Sequence, residues 1–399
     1  MTLGADSQQR SGAVRRAACE RLTRMSLMLP SSLESTRNIT GVAHQMLASL
    51  RGASSDLPAA RSVVLVVVDG LGAIPLRAHS GHARTMASAM AKKDVAMSVF
   101  PTTTAAALTS LLTGVAPGEH GLVGYRVLDR ARDALVNQLT EWKSVGIDPL
   151  TWQSAPTIFE QATAAGHPAF VVGIAAYAGS GFTSATLRGA EFHPAASVAD
   201  RVALAWQLAD AHDGALVYCY LPEVDKAGHK HGIDSGEWVA ALEDIDAALA
   251  LRVPDGVGVL VTADHGMVDV PVHKQLVLDS AGGWHDGIRH IGGEPRMLHV
   301  YAEPDADQSE LLARWRQDLD GVADVVSRAE AIDAGLYGSP VTDAARSRIG
   351  DMLVISRSNV AIYDGEAADQ RGRAMVGQHG GLTPEEWRVP FIRLGKYRR

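Results

Sequence analysis

Arg61-Ser62-Val63-Val64-Leu65-Val66-Val67-Val68-Asp69-Gly70 is the stretch that decides the fold. The residues before Asp69 form a continuous, largely β-branched apolar run, the pattern of a parallel strand covered on both faces. Asp69-Gly70 marks its carboxyl end. Residues 215–221 and 257–262 repeat the pattern and run into Pro222-Glu223-Val224-Asp225 and Ala263-Asp264-His265. Residues 169–174 and 352–355 are weaker candidates for further strands. Helical spacing lies between these runs, at 156–165, 198–211, 237–251 and 309–319. Strands alternating with helices predict an α/β fold with a doubly wound, mostly parallel sheet. Ligands of such sheets gather outside the carboxyl ends of the strands. Asp69, Asp225 and Asp264-His265 are therefore expected to converge although they are distant in sequence.

The chain has 399 residues, 46% hydrophobic and 21% charged, an ordinary globular composition with room for a sizeable core. A formal charge of -8 with scattered Arg and Lys leaves no electrostatic footprint for a nucleic-acid duplex. An anionic substrate would have to be held locally, by metal. Cys19 and Cys219 are the only cysteines, Cys219 lies inside an apolar run, and no disulfide is expected. Residues 1–24 show no apolar core ahead of a small-residue cleavage site. No apolar stretch approaches the roughly 20 residues of a membrane helix, so the cytoplasm is the expected compartment. Residues 1–58, rich in Ala, Arg and Ser, read as an amino-terminal helical extension with helices at 12–24 and 42–50. Residues 59–395 form the main domain. Residues 126–154 and 270–348 fit the alternation poorly, and the second is expected to form a small cap insert. Nothing in the sequence specifies the oligomeric state.

The polar residues at the strand ends have two readings each. Asp69 either meets a cation, since a buried carboxylate needs a partner, or closes its strand in an Asp-Gly turn. Asp225 and His229, four apart, share one face of a helical turn and can chelate one ion; otherwise they are a capping Asp and a surface His. His231 falls off that face. Asp264-His265-Gly266 directly follows a strand, and the glycine allows both side chains to turn toward one ion. His379 lies among Gly377, Gly380 and Gly381. His44, His79, His82, His120, His193 and His273 have no comparable setting and read as surface or core. Pro101-Thr102-Thr103-Thr104 opens a short apolar helix ending at Gly114. Its hydroxyls either cap the helix or stand where a helix start favours a phosphate or alkoxide.

The ordered set Val67-Val68-Asp69-Gly70, Thr104 through Thr113-Gly114, His120-Gly121, Asp225 with His229, Ala263-Asp264-His265-Gly266 and Gly377-Gln378-His379-Gly380-Gly381 resembles the alkaline phosphatase superfamily. Within it, the set is most similar to type I phosphodiesterases and nucleotide pyrophosphatases, over roughly residues 61–395. The resemblance implies an alkaline-phosphatase-like fold and a two-metal hydrolase of phosphate esters working through a phosphothreonine intermediate. The nucleophile in that family lies ten residues before the glycine of a Thr-Gly pair, which is Thr104, with Thr103 as the fallback. Asp69, Thr104, Asp264 and His265 would hold one metal ion, and Asp225, His229 and His379 the other. Mixed imidazole and carboxylate ligands suit zinc, with manganese as the second choice.

One departure concerns substrate contacts. Nucleotide pyrophosphatases usually carry an asparagine where this chain has Tyr125, followed by Arg126. Tyr125 can still donate a hydrogen bond, and Arg126 favours a dianionic monoester. The expected substrate is a small phosphate ester or nucleotide. The alternatives are phosphomonoester or phosphonate hydrolysis at the same site, and, further off, a metal-binding scaffold without turnover. A sulfatase is disfavoured because the nucleophile segment has no cysteine. Neither Gly-x-Ser-x-Gly nor a P-loop motif occurs.

Overall fold

The structure is a computed structural model that describes residues 37–53 and 56–398. The apolar run becomes β1 (Ser62–Val68), buried along its whole length. It lies inside a seven-stranded sheet with β2 (Val95–Met97), β3 (Ala169–Gly173), β4 (Glu191–Pro194), β5 (Leu216–Leu221), β6 (Val257–Thr262) and β7 (Arg388–Gly395). The strand order is β2-β7-β6-β1-β5-β3-β4. The pairs β6-β1, β1-β5, β5-β3 and β3-β4 are parallel, whereas β7 runs antiparallel to β6 and β2.

Two groups of helices cover the sheet. One contains α1 (Thr40–Leu50) and α2 (Thr104–Thr113), and the other α4 (Val198–Ala211) and α6 (Gly236–Leu249). Between them come the short α3 (Gly181–Thr186) and α5 (Glu223–His231). β1, β5 and β6 and the inner faces of α1, α2, α4 and α6 share one core, including Val42, Met46, Leu111, Val202 and Leu242. This is the doubly wound, mostly parallel α/β arrangement. The helix expected at 42–50 is α1, while the one expected at 12–24 lies outside the described residues, as does Cys19. Cys219 is buried and free.

Residues 352–355 form a strand, but in a different sheet. Met352–Ser356 pairs with Met297–Ala302 and Ala323–Ser327 in a four-stranded antiparallel sheet completed by Ile288–Glu294. That sheet packs against helix Gln308–Asp318 around Trp315, Val300 and Val354. The irregular segment 126–154 holds an antiparallel hairpin, Arg126–Asp129 with Ala134–Asn137, beside a small core around Trp142. No helix among the described residues is long and apolar enough to cross a membrane.

Candidate metal centre

Parallel register brings the acids together. Val68 pairs with Leu221 and Val67 with Thr262, so β5, β1 and β6 end level with one another. Asp69, Asp225 and Asp264 follow those ends. Gly70 sits at φ +72, and a Cβ there would come within 2.9 Å of Asp225 Cβ. Only glycine both adopts that backbone and leaves room for the carboxylate. The Gly70 amide donates to Asp264 Oδ1 at 3.3 Å. Asp225 and His229 lie on α5, with His229 Nε2 3.4 Å from Asp225 Oδ1.

Each of the three histidines points Nδ1 at a peptide carbonyl. His229 reaches Gly377 O (2.8 Å), His265 reaches Gly266 O (3.0 Å) and His379 reaches Thr102 O (2.8 Å). A carbonyl only accepts, so Nδ1 carries the proton and every Nε2 presents a lone pair inward. Nε2 of His229 and Nε2 of His379 are 3.2 Å apart. Two lone pairs at that distance call for a cation between them. The rings of His265 and His379 stack at 3.8 Å.

The carboxylates make the same demand. Asp69 Oδ1, Asp225 Oδ1 and Asp264 Oδ2 are buried and have no hydrogen-bond partner, an expensive state for unmatched carboxylates. Burial, then the charges of Asp264 and Asp225, push the Asp69 carboxyl well above the usual range; Asp264 is pushed up to about 7 by burial and by Asp225. Burial and the neighbouring His265 and His229 push His379 well down, which keeps it in the neutral, metal-ligating form. Ligand atoms fall into two groups within 4.8 Å of one another, Asp225/His229/His379 and Asp69/Asp225/His265. Asp225 belongs to both. Asp264 borders the second group, with Oδ2 3.4 Å from His265 Nε2.

The three threonine hydroxyls part company. Thr102 donates to Gly381 O and accepts from the Gly380 amide. Thr103 hydrogen-bonds Glu294. Thr104, the first residue of α2, has Oγ1 3.1 Å from His265 Nε2. Because that nitrogen has no proton, the threonine hydroxyl donates.

Tyr125 hydrogen-bonds Asn137 and lies near Glu294. It and Arg126 belong to neither ligand group, nor do they line the cavity that opens beside Thr104. His120 is a core residue, bonded to Ser110 Oγ at 2.8 Å, and burial pushes it down to about 3. Four contributing residues escape the sequence reading. Tyr220 donates its hydroxyl to Asp69 Oδ2; strand alternation could have put Tyr218 and Tyr220 on one face, but not beside Asp69. Glu294 has Oε2 3.7 Å from His379 Nδ1. Arg296 and Glu386, both fully buried, form a two-pronged ion pair at 2.7 and 2.9 Å. Glu386 also accepts from the Gly381 amide and from Thr383, which fixes the loop carrying His379.

A family profile described as type I phosphodiesterase / nucleotide pyrophosphatase matches residues 63–382, well over half of the chain. The chain belongs to that family. As a member it is a phosphoryl hydrolase of the alkaline phosphatase superfamily, a metal-dependent class. Comparison with curated protein sequences returned no match. Among solved structures, the chain is similar to phosphonoacetate hydrolase from Sinorhizobium meliloti 1021 bound to phosphonoformate. Identity is 21%, coverage 84% of this chain and 91% of that one, and the TM-score 0.65. Murine ectonucleotide pyrophosphatase / phosphodiesterase 5, an inactive form with AMP, gives 18%, 84%, 88% and 0.62. Human ectonucleotide pyrophosphatase / phosphodiesterase 5 gives the same four values. At these identities the likeness establishes the fold.

Proposed function

We propose that this family member hydrolyses phosphate diesters and pyrophosphates by transferring the phosphoryl centre first to Thr104 and then to water. Asp69, Asp225, His229, Asp264, His265 and His379 would hold two divalent ions, zinc by the donor set or manganese. The observation that carries this reading is the Thr104 hydroxyl oxygen 3.1 Å from His265 Nε2, beside three partnerless buried carboxylate oxygens. Bound ions would supply Lewis-acid charge that lowers the proton affinity of the threonine and stabilises the departing oxygen.

The chain's own groups do the rest. Thr104 Oγ forms a bond to phosphorus while the bond to the leaving oxygen breaks, and water then releases the phosphoryl group from the threonine. The first turn of α2 offers unpaired amides and the positive helix end to a phosphoryl oxygen. Thr102 and Thr103 keep the start of that helix tied to Gly381 and Glu294. Tyr220 holds Asp69 in place by hydrogen bond. In this reading residues 59–395 are the catalytic domain, with 270–348 as its cap. Tyr125 and Arg126 contact substrate at the Glu294 side of the site.

The test pairs metal analysis with hydrolysis of an aryl phosphate diester and monoester by wild type and Thr104→Ala. The expected outcome is metal retained and kcat lowered by about a thousand-fold or more. Turnover surviving in the variant would refute transfer through Thr104. A faster monoester would support the second reading, monoester or phosphonate hydrolysis, which the Tyr125-Arg126 pair favours.

A further inference from the structure

The cavity beside Thr104 measures about 560 Å³, within the roughly 300–1,000 Å³ of small-ligand sites. Thr104, Leu108 and Leu112 are spaced four apart on α2, share one helix face and all line the cavity. It therefore follows the helix away from the hydroxyl for roughly 12 Å, at about 1.5 Å per residue. Phe182, Phe192 and Tyr218 extend its apolar wall.

Three hydroxyls on the α3 side of that wall are already committed. Thr183 donates to Tyr177 O at 2.7 Å, Thr186 to Phe182 O at 2.9 Å and Ser180 to Thr183 Oγ1 at 3.0 Å. The lining includes no Asn, Gln, Arg or His side chain. Charge enters it only from Asp69 and Asp225 of the candidate metal centre and from the exposed Lys143 and Lys226. A nucleobase placed here would bury amino and carbonyl groups against few free partners, at a desolvation cost. An apolar chain has no such groups and gains from burial.

Resting on the phosphoryl-hydrolase reading above, we infer that the substrate is a phosphate ester whose organic group is an apolar chain lying along Leu108 and Leu112, and not a nucleotide. Calorimetric Kd values on the zinc-loaded protein test this with methyl-, butyl- and hexylphosphonate and with AMP. Affinity should tighten about twofold per methylene, half of the gain for full burial, giving roughly 30-fold from methyl to hexyl. Leu112→Trp, which fills the groove, should cut that ratio below about threefold and leave the methylphosphonate Kd unchanged. Phe182→Ala, which adds no bulk, should weaken hexylphosphonate alone. A flat series, AMP binding more tightly than hexylphosphonate, or an unchanged ratio in both variants overturns the inference. Because these Kd values need no turnover, failure of the proposed hydrolysis shows separately, as absence of Thr104-dependent release from the aryl esters in the same preparation.

Discussion

Glu386→Gln removes one charge from a fully buried pair and leaves Arg296 uncompensated. Glu386 accepts two hydrogen bonds from Arg296, one from Gly381 and two from Thr383. A glutamine keeps one accepting oxygen and turns an amide toward donors. Breaking a buried pair by changing one partner costs about 3–5 kcal/mol. Over 399 residues, an unfolding entropy of roughly 2.1 cal/mol/K each converts this to a Tm lower by roughly 4–6 °C. Burial pushes the Glu386 carboxyl up, but the charge and hydrogen bonds of Arg296 outweigh it and hold it below its usual value. Such a group stabilises the fold above the unfolded carboxyl pKa and loses that contribution as pH falls, so the variant should flatten the acid side of the stability curve. The loop from Gly377 to Thr383 also carries His379, so metal affinity should fall with stability. Urea titration, metal analysis and a double-mutant cycle with Arg296→Met provide the measurements. Coupling of more than about 1 kcal/mol is expected for contacting charged partners. Additive effects, or wild-type stability and metal content in Glu386→Gln, would refute the reasoning.

Tyr220→Phe deletes the hydroxyl that holds Asp69 and should weaken metal binding by about tenfold, the low end for a residue that orients a ligand; competition with a chromophoric chelator reads it, and unchanged affinity removes Tyr220 from the site. The raised carboxyl pKa values of Asp69 and Asp264 give the metal-free protein a stabilising contribution that is fully present below the ordinary Asp range and is lost as pH rises from about 4 to about 7. Metal uptake at pH 6 should therefore release protons, which calorimetry in buffers of different ionisation enthalpy detects; zero release would contradict the shifts. Chelation should abolish turnover and lower Tm most above pH 7, where the three acids repel one another unshielded; a metal-free Tm independent of pH would count against this.

Sequence reveals what is local. The run 61–68 and its two counterparts announced strands through β-branched composition, and the polar groups after them stood out because an apolar strand cannot shelter them. Asp69, Asp225 and Asp264 then meet because adjacent parallel strands end at one level. Sheet membership is less legible: 352–355 reads as a strand, but its partners Met297–Ala302 and Ala323–Ser327 are chosen by packing around Trp315. The identical hydroxyls of Thr102, Thr103 and Thr104 acquire different roles only through Gly381, Glu294 and His265. Arg296 and Glu386 are ninety positions apart, and no spacing rule joins them. Glu294 sat in a segment whose strands do not alternate with helices, so its approach to His379 left no local mark.

The three imidazoles take their orientation from the main-chain oxygens of Gly377, Gly266 and Thr102. Peptide oxygens are present whatever side chain a codon specifies, so no single replacement at those anchors erases one. Drift can disturb ring alignment only by shifting the path of the chain, through a lost glycine or a loosened loop. Natural variants with impaired catalysis and intact ligands should therefore concentrate at glycines, Gly266 and Gly377 among them, and at loop ties.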